Sequence, residues 1–227
     1  MKKLTIFLFV TFFCSTLQPV NAQTVPSLKK VKSMQDNVIL NLGVCNWAAT
    51  PDQIETTPLK SREFGFLMMS QRMIASGIFG IGFGPGFSSQ NVHHNAQLNT
   101  EPGGPYTYLS PLPDSVDYSL NKLSLNFLDA QIELRLHSKA RENKPVFKLS
   151  AGLKGGILLQ SHSKYKDNHS TYKRSGIPDL NKFQYGIVSR VGYGRVAVGV
   201  YYSLTGIFKE EKGPELIPYS VSLQFTM

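Results

Sequence analysis

The chain has 227 residues, 41% of them hydrophobic, a formal net charge of +9 and only two cysteines. That length suits one domain of ordinary size, and the cationic excess favours contact with anionic surfaces. The cysteine count excludes a disulfide scaffold. Past residue 14 no run approaches the ~20 apolar residues of a transmembrane helix, so a membrane location would require a closed barrel.

The first element in chain order is a targeting segment. Lys2 and Lys3 precede an apolar run from Leu4 to Cys14, and Val20-Asn21-Ala22 offers a small-residue cleavage site. Residues 1–22 therefore read as a secretory signal peptide. The run is too short for a retained anchor, and Thr11-Phe12-Phe13 lacks the small residues that would make Cys14 a lipoprotein cysteine. Cleavage at Ala22 leaves Cys45 alone, so no intramolecular disulfide can form. Export also excludes nucleic acid as a partner. Residues 23–36 are read as a periplasmic N-terminal segment and 37–227 as the folded domain.

Strands follow, recognised by alternation with period two. Val38, Leu40, Leu42 and Val44 alternate with Asn41, Gly43 and Cys45; Phe64, Phe66 and Met68 alternate with Glu63, Gly65 and Leu67. GIFGIGFGPGF sets Phe79, Ile81, Phe83 and Phe87 against glycines. In the fourth, from Leu123 to His137, Ala130, Ile132, Leu134 and Leu136 oppose Gln131, Glu133, Arg135 and His137. Its first half, Leu123-Leu125-Phe127, is out of phase, which predicts a bulge near Phe127 and Leu128. A fifth runs from Val146 to Gln160, a sixth from Phe183 to Gly192, a seventh from Val196 to Leu204, and the C-terminal Tyr219, Val221, Leu223, Phe225 and Met227 alternate with Ser220, Ser222, Gln224 and Thr226.

The polar faces carry glycine, serine and charge, and the apolar faces carry the bulk, which is the arrangement of a barrel whose outer solvent is lipid. Connections after even strands are short (Gln71 to Gly77, Ser138 to Pro145, Tyr193-Gly194). Those after odd strands are mostly longer (Thr50 to Ser61, Ser88 to Asn121, Ser161 to Lys182, Thr205 to Glu215). The prediction is all-β: an eight-stranded antiparallel up-and-down transmembrane barrel with short periplasmic turns and longer extracellular loops.

Five stretches carry a family likeness: FGIGFGPGFSSQNVHHNA, LNFLDAQIELRL, FKLSAGLKGGILLQSHSKYKD, YGIVSRVGYGRVAVGVYYSLTGIFKEEKGPEL and SVSLQFTM. They resemble the small outer-membrane β-barrel proteins of Bacteroidota, a broad family that includes PorT-type secretion-associated barrels. The resemblance implies an outer-membrane location and assisted insertion by the barrel assembly machinery, and it brings no catalytic residue with it. Tyr219, Val221, Leu223 and Phe225 are similar to the terminal insertion signal, although Thr226-Met227 departs from the commoner terminal aromatic residue.

Several motifs read as architecture. The glycines from Gly77 to Gly86 alternate with Phe and Ile and fit a strand better than a phosphate loop. Asn168-His169-Ser170 reads as a polar loop. His93 and His94 would point to opposite faces and so could not share a metal. No cofactor, metal or catalytic site is expected.

Three functional expectations remain. An eight-stranded barrel has room only for its own side chains. Glu133 is therefore expected to centre a lumen cluster with Arg135, Lys154 and Arg190, one carboxylate among cations that also include Lys148 and Arg195, in a plugged barrel. Gln131, Gln184 and Gln224 would help to satisfy the remainder. Next, Lys164, Lys166, Lys173 and Arg174, in the loop after the fifth strand, are expected to face outer-membrane lipid and lipopolysaccharide phosphates. Third, the proline-rich EPGGPYTYLSPLPDSVDY reads as an exposed mobile loop, with partner binding as the alternative. No protein partner is indicated. The enzyme alternative is an outer-leaflet lipid-modifying activity using Ser88, Ser89, His93, His94, His162 or Ser163.

Overall fold

The computed structural model describes residues 35–74, 78–100, 106–113, 115–138 and 146–227. The expected signal peptide, the segment up to residue 34 and most of the Ser138–Pro145 turn lie outside these residues.

The strands are β1 (Gln35–Ala48), β2 (Arg62–Ile74), β3 (Phe79–His93), β4 (Ala96–Thr100), β5 (Thr107–Pro111), β6 (Tyr118–His137), β7 (Phe147–Asp167), β8 (Thr171–Ser175), β9 (Phe183–Tyr193), β10 (Val196–Ser203) and β11 (Ile217–Thr226). Eight of them pair antiparallel in the order β1, β2, β3, β6, β7, β9, β10, β11, and β11 pairs again with β1. The result is a closed up-and-down barrel, so its ladder has no open edge across the apolar layer. The strands β4 and β5 form a separate hairpin, and β8 folds back on the end of β7. Between β9 and β10 the turn is Gly194-Arg195, with Gly194 at φ 62. Glycine with positive φ at the first central position suits the twist of a two-residue hairpin.

Large apolar side chains cover the outside. Leu42, Phe64, Met68, Phe83, Ile132, Leu153, Ile187, Val198 and Leu223 are all exposed, while Glu63, Ser88, Asp129, Glu133, Arg135, Ser150, Lys154 and Gln184 are buried. Such an inverted distribution is stable only where lipid surrounds the wall.

Both β6 and β7 run for about twice the length that a tilted strand needs to cross a bilayer. Their upper halves stand in water, and the polarity of the wall inverts there. On β6 the residues Leu123, Leu125, Phe127, Asp129, Glu133 and Arg135 all point inward, and the pairing with β3 is continuous from Lys122 to Leu136. The expected break of phase on β6 is therefore absent. What changes at Phe127–Leu128 is the solvent outside: lipid below, which favours apolar residues on the outer face, and water above, which favours them on the inner face. A bulge does lie at this level, but its extra residue is Leu159 on β7, skipped between the pairs Asn126–Gln160 and Phe127–Leu158. It shifts the inward set of β7 from Lys154 and Gly156 to Ser161 and Ser163.

Above this boundary the inward apolar residues form the core of a cap. Cys45, Trp47, Val92, Leu98, Leu123, Leu125 and Phe127 pack with Ile177, Leu180, Ile207, Phe208 and Leu216 from the connections. Asn181 Nδ2 donates to the carbonyls of Gly206 at 2.8 Å and Phe208 at 2.7 Å, and Thr107 Oγ1 donates to Asp179 Oδ2 at 3.0 Å. The connections expected at Ser88–Asn121 and Ser161–Lys182 are accordingly much shorter. The first holds the rest of β3, the β4–β5 hairpin and the start of β6; the second holds the end of β7 and all of β8. Within the proline-rich stretch, β5 pairs with β4 and Thr107 is buried, so that part is a strand where a loop was expected; residues 101–105 and 114 lie outside the description.

Candidate functional site

The lumen in the membrane zone holds two charged groupings. Glu133 on β6 accepts from Arg135 Nε at 3.0 Å and from Arg190 on β9. Arg135 Nη1 also donates to Gln71 Oε1 on β2 at 2.6 Å, and Arg190 Nε donates to Ser150 Oγ on β7 at 3.3 Å. The intervening β3 position is Gly82, where a Cβ would lie 2.7 Å from Arg135 Nε. Glycine there lets the guanidinium lie flat across the strand. One network thus links β2, β6, β7 and β9 across the lumen.

Lys154 belongs to the second grouping. Its Nζ lies 3.8 Å from Asp129 Oδ2 and 3.9 Å from the centre of the Tyr201 ring. The expectation that Lys154 is a partner of Glu133 is corrected: on the paired strands Lys154 stands opposite Gln131, and Glu133 opposite Gly152. Asp129 and Glu63 are also buried, so Glu133 is not the lone carboxylate. Asp129 was legible in the alternation, since counting back by two from Glu133 places it on the inner face. Arg195 lies in the β9–β10 turn and is exposed, which removes it from the lumen. A cavity of ≈ 30 Å³ between the two groupings, lined by Glu63, Asp129, Glu133, Lys154 and Arg190, has space on the order of one water.

In the cap, the expected basic loop is the β7–β8 hairpin, and its residues part by face. Ser163 pairs with Arg174, Lys164 with Lys173, and Tyr165 with Tyr172. Lys164 and Lys173 share the outer face, whereas Tyr165, Tyr172 and Arg174 line a cavity of ≈ 430 Å³ on the inner one. Lys166 is exposed on the outer face with Lys164. The register continues the outer row: His93 pairs with Lys122, Lys122 with Lys164, and Lys164 with Lys173. Like charges directly opposite on neighbouring strands are unfavourable by ~0.2–1 kcal/mol each, a cost that a bound anion would offset.

His94 is buried against Trp47, ring centres 5.3 Å apart. Its Nδ1 accepts the Ala96 N–H at 3.3 Å, and burial pushes its imidazole down to about 4. Ser88 Oγ, His93 Nδ1, His94 Nε2 and His162 Nδ1 have no hydrogen-bond partner. Among the described residues, no group of three or more His, Cys, Asp or Glu side chains could hold a metal ion.

The C-terminal β11 places Val221, Leu223 and Phe225 outward, with Tyr219 half-buried at the upper end. Its inward partners Ser220 and Ser222 face the lumen.

The family described as outer membrane protein beta-barrel domain matches residues 52–209. Among solved structures, the chain is similar to Ail, the attachment invasion locus protein of Yersinia pestis, crystallised in complex with the heparin analogue sucrose octasulfate. That likeness covers 86% of this chain and 100% of the other, at 8% identity and a TM-score of 0.36. Among curated proteins none matches.

Proposed function

Because the chain belongs to the outer membrane protein β-barrel domain family and so resides in the outer membrane, we propose that it is a non-enzymatic, non-conducting barrel that carries a rigid external cap for binding. The observation that carries the sealed lumen is the Glu133 network, in which Arg135 and Arg190 meet one carboxylate from strands on either side of β7. Charges held this way in a low-dielectric interior leave little freedom for a hydrated path. The apolar core from Cys45 to Leu216, packed above it, supports the same reading.

The row His93–Lys122–Lys164–Lys173 supports contact with lipopolysaccharide phosphates, with Arg174 removed from that surface because it lies on the other face of its strand. Insertion through the apolar face of β11, and narrower placement among the Bacteroidota barrels, rest on the sequence stretches quoted above. The non-enzymatic reading is supported by the faces of two candidate residues: on β3 Ser88 points inward and His93 outward, so these two do not meet as nucleophile and base.

Planar-bilayer recordings of the purified protein test the sealed lumen. No stable unitary conductance is expected, and steady channels of nanosiemens size would overturn it. Mass spectrometry of lipid A from cells with and without the gene tests the non-enzymatic reading; a mass difference would overturn that part alone.

A further inference from the structure

The ≈ 430 Å³ cavity in the cap lies between the β4–β5 and β7–β8 hairpins, above the level at which the outer face turns polar. Its volume falls within the ~300–1,000 Å³ of small-molecule sites. Its walls combine three chemistries. Leu98 and Leu112 form an apolar floor, Tyr165 and Tyr172 present rings, and Gln97 and Asn121 present amides beside the Arg174 guanidinium. The rings are ordered by their neighbours: Tyr165 lies 6.4 Å from Tyr172 and 6.1 Å from Tyr118, tilted by 35° and 37°. Asn121 is buried, with its Nδ2 held at 2.7 Å on the Ala96 carbonyl.

We propose that this cavity binds an acidic saccharide. A sugar ring has an apolar C–H face that matches a tyrosine ring and an edge of hydroxyls that both donate and accept, as primary amides do. A guanidinium adds a fork suited to a carboxylate or phosphate on the same sugar. A lipid chain would call for walls without the amides and the charge. The outer face of the same hairpin carries Lys164 and Lys173, which raise the local concentration of anions near the opening. The proposal rests on reading the cap as an external binding surface. Conduction by the wild-type barrel would overturn the sealed lumen and leave the cavity untouched, whereas failure to bind saccharide would leave the sealed barrel standing.

The test uses the full chain in detergent micelles, checked for heat-modifiable migration, and titration calorimetry at physiological salt. The probes are trigalacturonic acid, phosphorylated core oligosaccharide freed from lipopolysaccharide, uncharged maltotriose and an acidic peptide. At least one acidic saccharide is expected to bind about tenfold more tightly than maltotriose, and Arg174→Gln should abolish that preference. The tighter of the two acidic probes distinguishes a carboxylated polymer from the cell's own phosphorylated surface. Tyr172→Ala, at an exposed ring, should weaken binding about tenfold, while Lys173→Gln on the opposite face should change it by less than about twofold. Any of three results would overturn the proposal: no saturable binding of either acidic saccharide, equal losses from Lys173→Gln and Arg174→Gln, or tighter binding of the peptide than of both.

Discussion

Phe127 and Leu128 are consecutive on β6 and lie in different solvents. Phe127 is 3% exposed in the core of the cap, and Leu128 is 50% exposed on the outer wall at the upper edge of the apolar band. A charge placed below this edge should therefore cost far more than one placed above it. Ile132→Arg, mid-way down the outer face, is expected to lower stability by ~2–4 kcal/mol, while Asn126→Arg should change it by less than ~1 kcal/mol. Urea titration of the folded form in lipid vesicles, read by electrophoretic mobility, measures both. Equal losses would put the boundary elsewhere.

Removing the carboxylate of Glu133 leaves Arg135 and Arg190 facing each other. Glu133→Gln should cost on the order of 3–5 kcal/mol in the same titration. Adding Arg190→Gln to it should recover part of that loss, because the second change removes one of the stranded cations. A double variant as unstable as the sum of the two singles would mean that the contact carries no coupling.

In the cap, His94 is held neutral by burial. Its folded value of about 4 lies below the ordinary 6.5, so the unfolded chain binds the proton first as pH falls. Stability is then fully present above pH 6.5, declines between 6.5 and about 4, and levels off below that. The full loss is on the order of 3 kcal/mol. The chain has a single tryptophan, Trp47, against the His94 ring, so its fluorescence reports the cap directly. His94→Phe should flatten the pH dependence of cap unfolding between these limits. An unchanged slope would assign it to another group.

The outer row predicts a salt-dependent surface. Changing Lys122, Lys164 and Lys173 together to glutamine should weaken association with lipopolysaccharide at low ionic strength and matter little at high salt. Arg174→Gln, on the opposite face, should leave the salt-dependent part of that association in place. Surface plasmon resonance on immobilised lipopolysaccharide distinguishes these outcomes, and loss from Arg174→Gln alone would relocate the contact to the cavity side.

On β11, Phe225 faces outward and Gln224 inward. Phe225→Asp should reduce the assembled yield well below that of Gln224→Ala, measured as the heat-modifiable fraction in isolated outer membranes. Equal yields would argue against recognition through the apolar face.

Much of this molecule is written locally. A period of two is a property of neighbouring residues, so alternation alone determined the eight wall strands, which face of each meets lipid, and hence the inward placement of Glu133, Arg135, Lys154 and Arg190. The same rule misread β6, because it assigns faces by polarity and polarity reverses where the outer solvent changes from lipid to water. Only the uninterrupted pairing with β3 separates a reversal of solvent from a slip of phase, and pairing is a relation between distant segments. The cap was hidden for a related reason: Ile177, Leu180, Ile207, Phe208 and Leu216 are few and sit without periodicity in two polar connections, and they make a core only once these meet the upper ends of the strands. Partner choice in the lumen was decided by register, which set Lys154 opposite Gln131 and within reach of Asp129. The division of Arg174 from Lys173 was likewise decided by β8 folding back as a strand, since in a loop adjacent residues have no fixed faces, whereas in a strand they must point apart.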